Sequence, residues 1–196
     1  MNIGIDIRPL LDPQPSGVGE YPRELLTALF QIDKTNHYHL FSNQKKQIDN
    51  YQLPISHYPN VSVHAFQYPN KLLNAGFKFF NYPKIDRLIS KTYALDLFFM
   101  PNINFAALNS SIPFVLTIHD LSFEHFPSFF TAKSKLWHRA VAPKNLATRA
   151  ARILTVSEHT KTDVANQYQI PTERMTVTHP GVHPRFFEMP SPENLQ

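Results

Sequence analysis

Two short, nearly continuous apolar runs constrain the fold of this chain most strongly. One run covers residues 95–100 and stops at Pro101, and the other covers residues 114–118 and follows Pro113 directly. A strand that is apolar on both sides must be covered on both faces, as the central strands of a parallel sheet are. These runs therefore predict an α/β protein in which helices cover both faces of one sheet.

The remaining periodic segments alternate between the two types of element. Alternating apolar residues at Ile3, Ile5 and Ile7 predict a first strand. Further strands are predicted at 37–41, 61–66, 153–156 and 175–178, and helices at 20–30, 45–51, 85–93, 132–151 and 158–168. Pro143 predicts a kink or a break in the long stretch 132–151. We expect an open, doubly wound, mostly parallel, Rossmann-like sheet in residues 1–180, followed by a Pro-rich linker at 181–196.

Composition narrows the class of protein. The 196 residues are 42% apolar and include no Cys, so a disulfide framework, a thiolate zinc site and a Cys nucleophile are excluded. The net charge of +4 favours an anionic partner, but no dense Lys/Arg stripe or aromatic RNA-binding motif indicates nucleic acid. The first residues lead directly into a strand that contains Asp6 and show no basic-then-apolar signal pattern, so we expect no secretory signal. No apolar run approaches the ~20 residues that span a bilayer. We expect a cytoplasmic protein and leave open a peripheral position at the inner membrane face.

A small-residue turn lies between the first predicted strand and the first predicted helix. It runs from Ser16 to Gly19 and holds two of only five glycines in the chain. Glycines let the backbone approach an anion, and a helix N-terminus directs free N–H groups at it. Gly17, Val18 and Gly19 are therefore predicted to bind a phosphate-bearing substrate, although a plain strand-to-helix turn would also use glycine.

Polar residues follow two further predicted strands, where ligands bind in sheets of this type. His119 and Asp120 follow the run 114–118, and Ser157 and Glu158 follow the strand 153–156. His119 could donate to a sugar hydroxyl or to developing charge, or could only tie a loop to the sheet. Asp120 could orient His119, bind a hydroxyl or cap the next turn. Ser157 is most typical of a helix N-cap, with a ligand contact as the lesser alternative.

Two other kinds of site find little support. No H-E-x-x-H motif is present among the ten His residues, and His37 with His39 on one strand face is typical of a solvated face, so no metal is expected. A dinucleotide fingerprint needs a third small residue where Pro22 stands and an acid after the second strand, where Ser42 stands.

One apolar stripe has two possible uses. Leu72, Leu73, Gly76, Phe77 and Phe80 are predicted to share one face of a helix that Pro83 ends. Nearby cations at Lys71 and Lys78 would let this face lie on an anionic membrane. Packing against the sheet is the favoured interpretation, because apolar stripes usually face a core.

Taken together, five motifs resemble the N-terminal half of a family 4 glycosyltransferase with the two-domain GT-B fold. They are Ile3–Asp6 with Ser16–Tyr21, then 96–102, then Leu116–Phe123, then Ile153–Glu158, and finally Pro180–Val182 before Phe186. The run His119 to Phe123 looks most like the mannosyltransferase-type members that build bacterial polysaccharides. The resemblance covers nearly the whole chain.

The resemblance implies transfer of a sugar from a nucleotide-sugar donor to a saccharide or lipid-linked acceptor, with retention and without a metal or other cofactor. Gly17, Val18 and Gly19 would lie against the donor diphosphate and the acceptor, and His119 would lie beside the donor sugar as the catalytic residue. Asp120, Ser157 and Glu158 would line the substrate site.

The chain departs from the family pattern in two respects. His183 stands where the family often has Asp. The second domain, which in the family holds the nucleotide and a basic pair that stabilises the leaving phosphate, does not follow within these residues. We therefore expect the isolated 196 residues to be inactive. A non-catalytic α/β ligand-binding or interaction module is the alternative.

Overall fold

A computed structural model describes residues 1–11, 17–43, 57–91 and 94–181. Its core is a seven-stranded sheet in which all pairings are parallel. The strands are β1 (Asn2–Asp6), β2 (His37–Ser42), β3 (Val61–Ala65), β4 (Leu97–Met100), β5 (Phe114–Ile118), β6 (Arg152–Thr155) and β7 (Met175–Val177). Their order across the sheet is β3-β2-β1-β4-β5-β6-β7, so the predicted doubly wound Rossmann-like α/β class is confirmed.

Helices connect most of the strands. They are α1 (Gly17–Ile32), α2 (Asn70–Ala75), α3 (Ile85–Ile89), α4 (Ser122–His125), α5 (Ala132–Val141), α6 (Pro143–Arg149) and α7 (Glu158–Tyr168). A π-helical turn, Gly76–Phe80, continues α2. Among the described residues, no helix is long and apolar enough to cross a membrane.

The direction of winding reverses at β1. The chain first builds outward from β1 to β2 and β3, then returns to β4 on the other side of β1 and continues to β7. The loops that follow β1 and β4 therefore diverge at the carboxyl edge of the sheet, and such a switch point leaves a crevice for a ligand.

Two hydrophobic layers hold the helices on the sheet. Successive strand residues point to opposite faces, so Phe98 belongs to one layer and Phe99 to the other. Leu26 and Phe30 anchor α1 in the layer that contains Phe99. The opposite layer holds the apolar residues of α2, α3, α6 and α7. This double cover explains why β4 and β5 read as apolar on both sides.

Pro143 divides the long helical stretch into two helices, as predicted. Helix α5 ends at Val141, Ala142 adopts a left-handed conformation with φ 53°, and Pro143 begins α6. Proline suits the first position of a helix because its missing N–H would have no partner there.

Helix α1 begins earlier than predicted. The sequence indicated a turn at Ser16–Gly19 and a helix from Glu20, whereas Gly17, Val18 and Gly19 form the first turn of α1 itself. A helix nucleated further along the chain can extend into glycines at a cost of only ~1 kcal/mol per residue. Ser16 lies outside the described residues.

The prediction of one continuous apolar face over residues 72–80 is wrong. Leu73 and Phe77 are buried, but Leu72 is 70% exposed and Phe80 is 79% exposed. The winding changes at Gly76 from α to π, and the altered hydrogen bonding moves later side chains off the α-helical face.

The solvated face predicted for His37 and His39 is wrong for His39, which is 7% exposed. Its ring lies between β1 and β3, and polar partners on both strands satisfy it. The predicted helix 45–51 and the linker residues after 181 lie outside the described residues.

Candidate functional site at the carboxyl edge of the sheet

His119 stands directly after β5 and points toward the switch point. Its Nε2 lies 3.0 Å from the carbonyl oxygen of Pro101, the residue that follows β4. Its own carbonyl accepts a hydrogen bond from Thr160 Oγ1 at 3.0 Å. Contacts from β4 and α7 therefore fix both the ring and the backbone of this residue.

The hydrogen bond to Pro101 determines what the imidazole offers a ligand. A carbonyl oxygen only accepts, so Nε2 carries the proton and donates to it. Burial lowers the pKa of His119, an effect partly opposed by the Pro101 bond and by the charge of Asp120. The ring is therefore neutral near pH 7, with an unprotonated Nδ1. This nitrogen can accept a hydrogen bond from a hydroxyl group, whereas the Nε2–H group already donates to the Pro101 carbonyl.

Tyr21 closes one side of this site. Its ring meets the His119 ring edge-on, with centroids 5.1 Å apart and planes at 89°. Its hydroxyl hydrogen-bonds with Thr178 Oγ1 at 2.9 Å, just beyond β7. The sequence analysis assigned no role to Tyr21 beyond its place in the motif Ser16–Tyr21. The signal that could have found it is its position two residues after Gly19, just beyond the predicted anion-binding turn.

Asp120 caps the next turn, one of the three roles left open by the sequence. Its Oδ1 accepts hydrogen bonds from the backbone N–H of Ser122 at 2.8 Å and from the hydroxyl of Ser122. The residue is exposed, and its charge acts on His119. Capping therefore leaves the carboxylate accessible to a ligand.

Ser157 is the N-cap of α7, as predicted. Its Oγ accepts the backbone N–H of Thr160 at 3.1 Å. Thr160 in turn holds the His119 carbonyl, so the cap positions the end of β5 through a single intermediate residue. Glu158, in the first turn of α7, is exposed.

The glycines of α1 are not required by the surrounding protein. A Cβ on Gly17 would meet none of the described residues within 4 Å, and one on Gly19 would lie at an ordinary 3.5 Å from the Pro9 carbonyl. Neither glycine has a positive φ. Their small size therefore leaves open space beside the first turn of α1, where a ligand could approach the backbone.

A buried ion pair beneath the crevice was missed by the sequence reasoning. Asp6, fully buried at the end of β1, accepts two hydrogen bonds from the Arg8 guanidinium, Nε to Oδ1 at 2.8 Å and Nη2 to Oδ2 at 2.6 Å. Arg8 also donates to the Phe105 carbonyl at 2.6 Å and lies against the rings of Phe41 and Phe77. The pair ties the loops after β1 and β4 together. A charged residue ending an apolar strand, with its counter-charge two positions later, was the available signal.

No group of three or more His, Cys, Asp or Glu side chains able to hold a metal ion occurs within residues 1–11, 17–43, 57–91 and 94–181. Two His–carboxylate contacts share Asp163, which lies 3.1 Å from His125 and 3.6 Å from His159 on the surface of α7. The groups around His119 are hydroxyls, carbonyls and one aromatic ring, which suit hydrogen bonding to a neutral or anionic ligand.

The sequence matches the family model described as Glycosyltransferase Family 4 over residues 15–186. The chain belongs to Glycosyltransferase Family 4. The resemblance drawn from the five motifs is thereby confirmed at the level of the family, and mannosyltransferase specificity stays a prediction. The matched range of this Family 4 chain includes His119, Tyr21 and the first turn of α1.

Solved structures of Anabaena HepE share the fold of this Family 4 chain at 17% sequence identity. The alignment with the complex of UDP and glucose has a TM-score of 0.58 and includes 99% of this chain and 48% of the HepE chain. The alignment with the UDP-glucose complex has a TM-score of 0.57 and includes 99% of this chain and 47% of HepE. The alignment with the UDP complex has a TM-score of 0.54 and includes 98% of this chain and 47% of HepE. The chain therefore spans about half the length of HepE. No curated protein matches it.

Proposed function

We propose that this chain is the acceptor-side half of a retaining glycosyltransferase. The complete enzyme transfers a sugar, with mannose as our expectation, from a nucleotide-sugar donor to a saccharide or lipid-linked acceptor. The observation that carries the proposal is the fixed, neutral imidazole of His119 at the carboxyl end of β5, within a chain of Family 4. The likeness to HepE, solved with UDP and with UDP-glucose, supports a nucleotide-sugar as the donor.

His119 acts by orientation in this proposal. Its Nδ1 accepts a hydrogen bond from a sugar hydroxyl and holds the sugar next to the departing phosphate. A neutral ring serves this role better than a charged one, because a protonated Nδ1 could not accept. In keeping with the family resemblance, the donor phosphate, and not His119, receives the proton of the attacking acceptor hydroxyl.

The first turn of α1 binds the charged part of the substrate. Gly17 and Gly19 leave the backbone open to a phosphate, and the helix N-terminus contributes free N–H groups and a positive dipole end. Asp120 and Glu158, both exposed beside the crevice, bind sugar hydroxyls. No metal or other cofactor takes part in this proposal.

In this proposal the isolated 196 residues do not catalyse sugar transfer. Stabilising charge on the leaving phosphate is often the largest catalytic contribution, and we expect its basic groups in a second domain. The chain spans about half the length of HepE, which is in keeping with a half-site.

A lipid-linked acceptor would bring the enzyme to a cytoplasmic membrane face. Part of the surface over residues 72–80 is available for that contact. Leu72, Phe79 and Phe80 are exposed, and the Lys78 ammonium lies 5.5 Å from the centre of the Phe79 ring.

The test is a transfer assay with the product of the complete reading frame that contains these residues, using GDP-mannose and UDP-glucose as donors. His119→Ala should lower kcat at least about 100-fold, as the loss of one positioned polar group in an active site does. His159→Ala, at an 87% exposed side chain only two residues beyond Ser157, is the matched control. Both variants should keep the far-ultraviolet circular dichroism of the parent.

An unchanged rate in His119→Ala would contradict the proposal. Absence of transfer from either donor, with intact binding of nucleotide-sugar, would favour the alternative of a non-catalytic ligand-binding module. Detectable transfer by the isolated 196 residues would contradict the proposed need for a second domain.

A further inference from the structure

The charge distribution around α5 is one-sided. Residues 125–157 contain six Lys and Arg residues and no Asp or Glu, although the chain as a whole has 15 acids. The six are Lys133, Lys135, Arg139, Lys144, Arg149 and Arg152. Helix α5 has no buried residue, so its cations are presented outward. This part of the surface attracts anions more strongly than the net charge of +4 suggests.

Three of these cations line one groove of about 370 Å³ between α4, α5 and α6. Its lining includes Phe123, Pro127, Lys135, His138, Arg139 and Lys144. None of the ion pairs in the described part of the chain involves the three cations. We call this space the α5 groove.

The floor of the α5 groove is aromatic. The His138 ring stacks on Phe123 with centroids 4.2 Å apart and planes at 9°. His138 Nδ1 donates to the Ser134 carbonyl at 2.9 Å, which fixes the ring. Glu124 also lines the groove, and its carboxylate accepts a hydrogen bond from the Tyr168 hydroxyl at 3.1 Å. Cations outnumber carboxylates in the lining by three to one, so the groove favours anions.

Three large apolar side chains lie close in the sequence to residues that line the α5 groove, and they face solvent. Phe126 is 55% exposed, Phe129 is 84% exposed and Leu136 is 70% exposed. The two Phe rings stack with centroids 5.8 Å apart and flank the lining residue Pro127 in the sequence, and Leu136 follows the lining residue Lys135. We call these three residues the apolar rim. Exposed aromatic side chains beside unpaired cations match the interface of a bilayer, where apolar and charged groups meet.

We propose that the α5 groove and its apolar rim bind an anionic lipid surface. Lys135, Arg139 and Lys144 receive lipid phosphates, while Phe126, Phe129 and Leu136 enter the boundary between headgroups and acyl chains. A free phosphate or a nucleotide would satisfy the cations but leave the rim in water. A neutral apolar partner would bury the rim but leave the cations unpaired. An anionic bilayer satisfies both groups of side chains.

This surface differs from the stripe over residues 72–80, although both belong to the same helical layer. Phe77 of that stripe and Leu146 of α6 pack in one hydrophobic cluster, so the two surfaces lie on the same side of the sheet. The α5 groove adds a cavity, an aromatic floor and three cations from residues 125–157, a stretch without acids. The inference deepens the membrane contact proposed above but does not require sugar transfer.

The experiment is co-sedimentation of the 196-residue chain with vesicles of phosphatidylcholine alone and with 30% phosphatidylglycerol added. We expect binding only to the anionic vesicles and weaker binding at high salt. Lys135→Ala/Arg139→Ala should weaken it about tenfold or more, because each cation near such a surface adds to the attraction. Phe126→Ser/Phe129→Ser should weaken it to a similar degree.

Two controls test whether the binding belongs to the α5 groove and whether its ligand is a lipid surface. Arg23→Ala/Lys161→Ala removes the same charge from α1 and α7 and should leave binding within about twofold of the parent, since these residues lie outside the groove. Inorganic phosphate at 10 mM, with the ionic strength held constant, should not displace the chain, which distinguishes a lipid surface from a free-phosphate site. The thermal unfolding midpoint of each variant reports whether it is folded.

Equal binding to neutral and anionic vesicles, or unchanged binding by both groove variants, would overturn the proposal. Loss of binding only in Phe79→Ser/Phe80→Ser would assign the membrane contact to the stripe over residues 72–80 instead. Displacement of the chain from vesicles by inorganic phosphate would show that the groove binds small anions and would overturn the proposal of a lipid surface. The transfer assay with the product of the complete reading frame is a separate readout of the crevice, so failure at one surface is distinguishable from failure at the other.

Discussion

Tyr21 in α1 and His119 after β5 are joined by an edge-on ring contact with centroids 5.1 Å apart. The Tyr21 hydroxyl continues this contact to Thr178, beyond β7. One helical side chain thus spans the carboxyl edge of the sheet from its central strands to its last strand. Because the ring covers the imidazole, it contributes to the burial that lowers the pKa of His119.

Tyr21→Ala should raise the pKa of His119 toward its ordinary value of 6.5, because the imidazole gains access to water. Tyr21→Phe should leave that pKa low, since the ring remains, while costing about 0.5–1.5 kcal/mol of stability for the lost hydrogen bond to Thr178. The check is an NMR titration of the His119 Cε1 proton in the three proteins. Identical pKa values in Tyr21→Ala and the parent would show that the ring does not shield His119.

Arg8→Ala should destabilise the protein by about 3–5 kcal/mol, because it leaves the fully buried Asp6 carboxylate without its partner. Arg8→Lys keeps the charge but loses the two-pronged geometry and the contacts with Phe41 and Phe77, so its loss should be smaller. Urea unfolding measures both. Arg8→Ala/Asp6→Asn should recover part of the loss, and failure to do so would argue that packing of the guanidinium dominates.

Stability should fall as the pH is lowered from 7.5 to 5. Burial lowers the pKa values of His39, His64 and His119 below 6.5, so below that pH the unfolded chain binds more protons than the folded one. The stabilisation is complete above about pH 6.5 and is lost as the pH falls toward the folded-state pKa values. Urea unfolding at several pH values measures the slope.

His64→Gln is the diagnostic variant for this pH dependence. His64 Nε2 lies 3.3 Å from His39 Nδ1, and His39 Nε2 lies 3.3 Å from Asn2 Oδ1. A Gln at this position can still donate to His39 but does not titrate, so the slope should become shallower. His159→Gln, at an exposed position, should not change it. A slope unaffected by His64→Gln would assign the pH dependence to other groups.

Gly76→Ala should destabilise the protein by about 1–3 kcal/mol, because the new Cβ would lie 2.5 Å from the Tyr82 carbonyl oxygen and the backbone would have to move. Gly17→Ala is the matched control in α1. In the described part of the chain nothing lies within 4 Å of its added Cβ, so stability should change by less than about 0.5 kcal/mol. Thermal unfolding of the two variants checks the contrast, and equal losses would contradict it.

The elements that the sequence predicted best are those whose signal is local. The apolar run 114–118 became β5 with the same limits, and Ser157 became the N-cap of α7. Pro143 marked the break between α5 and α6. Each of these depends on side-chain periodicity or on backbone chemistry within a few residues, which a single sequence contains.

The predictions that failed depend on how segments meet. Leu72 and Phe80 were placed on a buried face, but both are exposed. The change to π winding at Gly76 accounts for Phe80. His39 was placed on a solvated face, but β1 and β3 enclose it. Local periodicity does not contain the position of the neighbouring strand or the winding of a short helix, so these outcomes could not be read from it.

The sequence by itself determined the parallel α/β class and the location of polar residues after the strands, because both follow from order and spacing along the chain. Its five motifs also carried the resemblance to the family. Tertiary structure alone decided that Tyr21 covers His119, that the Pro101 carbonyl accepts a hydrogen bond from the imidazole and that Asp6 is paired with Arg8 beneath the crevice. The physical reason is that strand order brings β1, β4, β5 and β7 to one edge. Hydrogen bonds and ring contacts between distant residues form there, and the hydrogen bond from Tyr21 to Thr178 joins residues 157 positions apart.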